Sequence, residues 1–179
     1  VVQFVETFFY VWVILALKNI ENMTPRRYID WSITTPIMLI STIIFMEFKY
    51  NREKDREKLT LKKFLSDKKY DIVKIVIFNA LMLLFGYLGE TGVISKYIGI
   101  PIGFVFFILS FKIIYENYAV KTDIGYKLFL FIFIVWSIYG IAAMMPTPYK
   151  NISYNMLDIV AKNFYGLYIY YKILQYRIV

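Results

Sequence analysis

The sequence predicts an all-α integral membrane protein, and three of its properties lead to that fold class. Hydrophobic residues make up 59% of the 179 residues and aromatic residues 20%, which is too apolar for a soluble domain of this size. Apolar stretches long enough to cross about 30 Å of hydrocarbon follow one another along the chain. The connections between them are short apart from one polar segment. We therefore expect a single transmembrane domain over residues 1–179.

The hydropathy pattern predicts six transmembrane helices, each of about 20 residues. Each stretch contains few charges and is flanked by polar residues, as expected for a helix that spans a bilayer. The predicted spans are residues 1–17, 30–48, 72–89, 97–116, 126–145 and 152–172. Because the chain opens inside an apolar run without Met, we expect one more helix upstream of residue 1.

The polar segment 49–71 is predicted to be a solvated cytoplasmic loop. Its sequence, KYNREKDREKLTLKKFLSDKKYD, is rich in lysine and arginine. Since consecutive spans alternate in direction, this segment and the C-terminus share one face of the membrane, which also holds most of the basic residues. The positive-inside rule assigns that face to the cytoplasm. The net charge of +8 then reflects topology and contact with anionic lipid, and no nucleic-acid partner is predicted.

The composition also restricts the chemistry that any functional site of this chain could perform. The sequence contains neither cysteine nor histidine, so it lacks a thiolate, the commonest metal ligand and the usual general base. It also lacks a glycine-rich phosphate loop. These absences argue against a metal site and against a catalytic triad. We do not expect an enzyme.

The sixth predicted span carries a lysine near its centre. Lys162 lies ten residues into the span, and Asp158 precedes it by four residues, which places both on one helix face. An ionisable residue at this depth indicates a function that involves a charged partner. One interpretation is a structural salt bridge. The other is an amine kept available for an imine with a carbonyl compound, with Asp158 as counterion.

The second predicted span presents a polar helix face. At about 100° per residue, one arc of about 60° contains four polar side chains, namely Arg27, Asp30, Thr34 and Ser41. A carboxylate at Asp30 would stabilise a cation at the centre of the membrane, and Arg27 one turn outward would keep that carboxylate ionised. We therefore expect these charges to be paired inside a bundle.

Three motifs carry a resemblance to a known family. RYIDWSITTP at 27–36, WSIYG at 136–140 and LDIVAK at 157–162 resemble, in this order, the microbial (type 1) rhodopsins. GYLGETG at 86–92 is also similar to the proteorhodopsin connection after the fourth helix. The resemblance implies a seven-helix rhodopsin bundle around all-trans retinal. Six helices would be present here, and the family's first helix would lie upstream.

The resemblance assigns roles to residues at the matching positions. Lys162 resembles the lysine that forms the retinal Schiff base, Asp30 and Asp158 resemble its counterions, and Arg27 resembles the central gate. Five further residues match retinal-pocket positions, namely Trp31, Thr34, Thr35, Trp136 and Tyr139.

The sequence departs from the family pattern at three places in the expected pocket. Gly140 stands where many members have proline, and Ala143 stands where a second pocket tryptophan is common. The span 97–116 contains no tryptophan. One of its phenylalanines is expected to fill that wall, the candidates being Phe104, Phe106 and Phe107.

Ser41 occupies the position that separates mechanisms in this family. The outward proton pumps have Asp-Thr-Asp or Asp-Thr-Glu in a triplet that here reads Asp30, Thr34 and Ser41. A serine hydroxyl is too weak an acid to reprotonate the Schiff base from the cytoplasm. Together with Glu6 and Asn155, this triplet resembles the viral rhodopsins, whose first group includes light-gated cation channels.

The resemblance therefore favours a light-gated cation channel that conducts monovalent cations or protons. Glu6 and Asn155 would be polar residues of its ion path, although an interhelical hydrogen bond is an equally good interpretation of each. The alternatives are a light-driven outward proton pump with slow reprotonation and a photosensory rhodopsin. Exposed aromatic residues on lipid-facing sides would permit homo-oligomers, and the C-terminus is expected in the cytoplasm.

Overall fold

The computed structural model describes residues 2–4, 7–8, 11, 23–55 and 59–177, and these residues are predominantly helical. The described part of the chain contains seven α-helices, which are α1 Met23–Glu53, α2 Leu61–Asp67, α3 Lys69–Glu90, α4 Lys96–Asn117, α5 Asp123–Ala143, α6 Thr147–Asp158 and α7 Tyr165–Arg177. A 3-10 turn at Ala119–Lys121 precedes α5, and a π-helical turn at Ile159–Phe164 joins α6 to α7. Glu6 and most of the predicted span 1–17 lie outside the described residues.

The predicted all-α membrane fold is confirmed. The helices α1, α3, α4 with its 3-10 extension, and α5 have the length and apolar composition of membrane spans. Three of them extend beyond both predicted boundaries, and α1 begins seven residues before residue 30 and ends five residues after residue 48. The helix α5 begins three residues before residue 126 but ends two residues before residue 145. Hydropathy detects the hydrocarbon-spanning part of a helix, whereas the helical backbone continues into the polar interface.

The polar segment 49–71, which was predicted as a solvated loop, contains helical structure and one buried side chain. It includes the end of α1, the short helix α2 and the start of α3. The side chain of Thr60 caps α2 by accepting a hydrogen bond from the Lys63 backbone N–H at 3.4 Å. Phe64 of α2 is only 2% exposed and lies against Tyr118, with ring centroids 6.4 Å apart. One aromatic side chain among many lysines thus anchors the segment to the bundle.

Glycines allow α3 and α4 to pack closely. A Cβ added to Gly99 would lie 2.8 Å from the Phe85 carbonyl oxygen and 3.0 Å from the Gly89 Cα. Gly92, with φ of 77°, provides the left-handed residue in the turn between the two helices. Small residues at such contacts let helix backbones approach each other within a membrane.

Within the described bundle, the helix α1 contacts α3 and α5. We call the end of the bundle that holds α2 and the C-terminal part of α7 the basic end, because the lysines of segment 49–71 lie there. The end that holds the turn between α3 and α4 and the start of α6 is the opposite end. The site described next lies between the two.

Candidate functional site

Two cations and two anions meet inside the bundle. The Lys162 Nζ lies 2.5 Å from Asp30 Oδ2 and 3.4 Å from Asp158 Oδ1. The Arg27 Nη1 lies 3.6 Å from Asp158 Oδ2. Each of the four residues is at most 3% exposed, and the low dielectric around them strengthens their attraction. The structure therefore brings together the four charged residues singled out in the sequence, and we call them the central cluster.

Regular helical spacing places these side chains. Arg27 and Asp30 stand three residues apart on α1, and Asp158 and Lys162 stand four residues apart at the junction of α6 with the π turn. Lys162 itself lies within the π turn. Single π turns inside α-helices occur frequently at functional sites. The Lys162 carbonyl accepts a hydrogen bond from the Tyr165 backbone N–H and a second from the Gln3 Nε2, which lies 3.5 Å away.

Neighbouring side chains hold the Asp158 carboxylate and the Arg27 guanidinium in place. The Tyr139 hydroxyl donates to Asp158 Oδ1 at 2.7 Å, and the Trp31 Nε1 donates to the same oxygen at 3.4 Å. The Arg27 Nη2 donates to Asn155 Oδ1 at 2.6 Å. Asn155, which the sequence marked as a possible ion-path residue, therefore contacts the central cluster directly.

Three buried atoms of the central cluster lack a hydrogen-bond partner within the described residues. They are Nε and Nη1 of Arg27 and Oδ1 of Asp30. Buried polar groups are normally satisfied, and ordered water is the usual partner where the protein provides none. Water bound at these three atoms would satisfy them.

A cavity with mainly apolar and aromatic walls lies beside Lys162. Four of the five predicted pocket residues line it, namely Trp31, Thr35, Trp136 and Tyr139. Thr34 is buried but is not part of the lining, and its hydroxyl donates to the Asp30 carbonyl at 3.0 Å. The other lining residues include Met38, Met82, Leu83, Gly86, Ile100, Gly103, Ala143 and Ala161.

Two phenylalanines of α4 complete the wall for which the sequence offered three candidates. Phe104 and Phe107 line the cavity, whereas Phe106 stacks on Phe85 with ring centroids 5.6 Å apart. A Cβ on Gly140 would overlap the ring of Phe104. The departure from the family pattern at Gly140 therefore makes room for the aromatic side chain that closes the cavity.

The residues present fit the chromophore that the resemblance implies. Retinal is an apolar aldehyde, so it needs a primary amine for covalent attachment and apolar walls around its chain. Lys162 provides the amine on the cavity wall, and Asp30 and Asp158 lie within reach of its positive charge. A protein site of this kind combines mostly apolar lining with a few placed polar groups.

A second buried ion pair, which the sequence did not predict, lies toward the opposite end of the bundle. The Lys150 Nζ lies 2.7 Å from Glu90 Oε2, and the Glu90 side chain is 1% exposed. The hydroxyls of Tyr28 and Tyr154 donate to Glu90 Oε1 at 2.9 Å and 2.6 Å. The Arg27 guanidinium carbon lies 5.5 Å from the centroid of the Tyr154 ring, which joins this network to the central cluster.

Ser41 does not share the burial of the other residues on its predicted helix face. It is exposed, whereas the next residue, Thr42, is 1% exposed. No described element covers Ser41. On α1, the buried carboxylate closest to the basic end is Glu47, which pairs with Lys121 at 2.8 Å.

Comparisons with known proteins identify relatives of this chain by sequence and by fold. Residues 1–176 match the family model described as bacteriorhodopsin-like protein. Green-light absorbing proteorhodopsins from the gamma-proteobacterium EBAC31A08 and from an unknown prokaryotic organism are each 24% identical over 172 residues, which is 84% of this chain. The chain spans 61% of the length of these curated relatives. The crystal structure of viral rhodopsin OLPVRII matches with a TM-score of 0.79 and 32% identity, covering 96% of this chain and 79% of that one.

Proposed function

This chain belongs to the family of bacteriorhodopsin-like proteins, and on that premise we propose that it binds all-trans retinal at Lys162 and acts as a light-gated cation channel in a lipid bilayer. The observation that carries the proposal is the contact of the Lys162 amine with two carboxylates on the wall of an aromatic cavity. Retinal bound there supplies a light-driven change of shape next to Nζ. The protein's own residues would then close or open the path for ions.

In the dark, the central cluster closes the path between the two ends of the bundle. Asp30 and Asp158 stabilise positive charge at Lys162, and Arg27 bridges Asp158 and Asn155. A displacement of Nζ away from Asp30 would weaken that attraction and leave a carboxylate in need of new partners. Water would enter at the unsatisfied Arg27 and Asp30 atoms, and cations would follow the acidic and amide groups.

The choice of a channel over a pump rests on the basic half of α1. An efficient outward pump needs an acid that reprotonates the lysine nitrogen from that side. Ser41 is exposed and is a weak acid, and the buried carboxylate of Glu47 is held by Lys121. These observations support passive conduction over rapid proton supply.

A light-driven outward proton pump is the second candidate. Asp30 Oδ2 lies 2.5 Å from Nζ and is placed to accept a proton directly, as a pump requires. A photosensor would use the same cluster without net transport. In all three cases we propose that the basic end faces the cytoplasm, because lysine and arginine concentrate there.

The direction of the photocurrent separates the candidates. The protein would be expressed with all-trans retinal and studied under voltage clamp while the Na⁺ and K⁺ gradients are reversed. A channel gives a photocurrent that changes sign with the cation gradient. A current that stays outward at every voltage and ignores these cations contradicts the channel and supports the pump. Spectral changes without any current support the photosensor.

A further inference from the structure

A hydrogen bond joins α1 to α7 on the basic-end side of the central cluster. Thr42 Oγ1 and Tyr165 Oη are 2.6 Å apart, and the two residues are 1% and 6% exposed. Thr42 follows Asp30 by twelve residues on α1, and Tyr165 follows Lys162 by three residues. Neither residue lines the cavity beside Lys162. The pair thus lies between that cavity and the basic end.

The hydrogen bonds of Thr42 fix the direction of this contact. The Thr42 hydroxyl also lies 2.7 Å from the Met38 carbonyl oxygen, to which it donates its only proton. Tyr165 is therefore the donor to Thr42 Oγ1. The ring of Tyr165 also stacks on Phe131 of α5, with centroids 5.9 Å apart and planes at 9°. One tyrosine consequently connects three helices.

Tyr165 belongs to a buried apolar cluster. Leu39, Ile43, Leu128 and Ile132 belong to the same buried apolar cluster as Tyr165, and each is at most 4% exposed. An apolar layer of this kind excludes water because it offers no hydrogen-bond partners. The hydroxyls of Thr42 and Tyr165 are polar groups within this layer. If their mutual hydrogen bond broke, a water molecule could bind to each hydroxyl in place of the other residue.

The π turn couples this hydrogen bond to the lysine. Tyr165 is the first residue after the π turn Ile159–Phe164, which contains Lys162. A displacement of the lysine backbone would therefore rotate or shift the start of α7, where Tyr165 lies. Because packed contacts adopt discrete arrangements, such a small displacement can break one short hydrogen bond.

We infer that the Thr42–Tyr165 hydrogen bond is a latch that closes the basic half of the transport path, and that it opens when Lys162 moves. Both residues act as positioning residues, since neither touches the cavity or the charges of the central cluster. The inference rests on the proposed light-driven transport but not on the choice between channel and pump. Water has to cross this layer in either mechanism.

The first test uses the protein without retinal. Hydrogen exchange measured by mass spectrometry would compare wild type with Thr42→Val, Tyr165→Phe and the control Tyr170→Phe, whose side chain is 61% exposed on the same helix. Loss of the latch predicts at least fivefold faster exchange in segments 38–46 and 162–169 for the first two variants. The control should exchange like wild type. Unchanged exchange in Tyr165→Phe overturns the inference.

The second test uses the retinal-bound protein and flash photolysis. Thr42→Val and Tyr165→Phe should keep the position of the visible band, because neither residue lines the cavity, but should accelerate recovery of the ground state at least fivefold. The double variant should recover no faster than the single ones, since both remove the same bond. Thr42→Ser keeps the hydroxyl and should restore the wild-type rate.

The outcomes separate the latch from the proposed function. A wild-type protein that forms no visible band with retinal contradicts the proposed function itself. A wild-type photocycle whose recovery is unchanged in Tyr165→Phe, or additive effects in the double variant, overturn the latch alone.

Discussion

At the scale of single residues, Lys162 carries the proposed attachment of retinal. Replacement by alanine removes the only primary amine on the cavity wall within the described residues. We therefore expect Lys162→Ala to form no visible absorption band after addition of all-trans retinal, as measured by absorption spectroscopy. Lys112→Ala is the matched control, since Lys112 is a 63% exposed lysine on α4. A band that persists in Lys162→Ala contradicts the assignment.

The buried pair of Glu90 and Lys150 leads to a prediction about stability. Glu90→Gln leaves Lys150 as an unpaired cation that is 9% exposed, so the free energy of unfolding should fall by about 3 kcal/mol. Detergent-induced unfolding in mixed micelles measures the change. The control Glu116→Gln removes a 56% exposed carboxylate and should change stability by less than about 0.5 kcal/mol.

A second variant tests whether the unpaired charge is the cause. Adding Lys150→Met to Glu90→Gln removes the cation and should recover most of the lost stability, because an apolar replacement of a buried pair is often neutral. If the double variant is no more stable than Glu90→Gln alone, the hydrogen bonds from Tyr28 and Tyr154 account for the loss instead.

Local spacing decides which site residues the sequence could predict. Asp158 and Lys162 are one turn apart, and Arg27 and Asp30 belong to one motif, so both pairs were predictable. Glu90 and Lys150 are separated by 60 residues, and no local pattern links them. Tyr154, however, precedes Asp158 by four residues and shares its helix face, which is a signal that could have identified it.

At the scale of helices, hydropathy predicted the positions of α1, α3, α4 and α5 but not their full lengths. Apolar composition records the hydrocarbon that a helix crosses, and it is insensitive to the polar turns that follow. The π turn around Lys162 was not predictable either, because one extra residue in a turn depends on packing against other helices. The helix α2 was not predictable for a similar reason, since Phe64 is its one buried residue.

The close contact between α3 and α4 leads to a prediction about packing. Gly99→Ala would place a Cβ 2.8 Å from the Phe85 carbonyl oxygen, so the helices would have to separate. We expect a loss of about 1 to 3 kcal/mol in the free energy of unfolding, measured in mixed micelles. Gly89→Ala is the matched control, because its nearest neighbours would be at 3.4 Å or more. Equal losses in both variants would contradict this account of the interface.

At the scale of the whole molecule, the distribution of charge predicts its orientation. The sequence contains no cysteine, so single cysteines can report which side of the membrane a residue faces. Tyr149→Cys at the opposite end should react with a membrane-impermeant maleimide on intact cells. Lys62→Cys at the basic end should react only after permeabilisation. The reverse pattern would place the basic end outside and contradict the positive-inside assignment.

The charges of the central cluster balance one another. Arg27 and Lys162 contribute two positive charges, and Asp30 and Asp158 contribute two negative ones, so the cluster is electroneutral. An unbalanced charge is expensive in a low-dielectric interior. If the Lys162 proton moved to Asp30, Arg27 and Asp158 would remain as a charged pair and the cluster would stay electroneutral. Loss of that proton to either end of the bundle would instead leave one unbalanced negative charge in the interior.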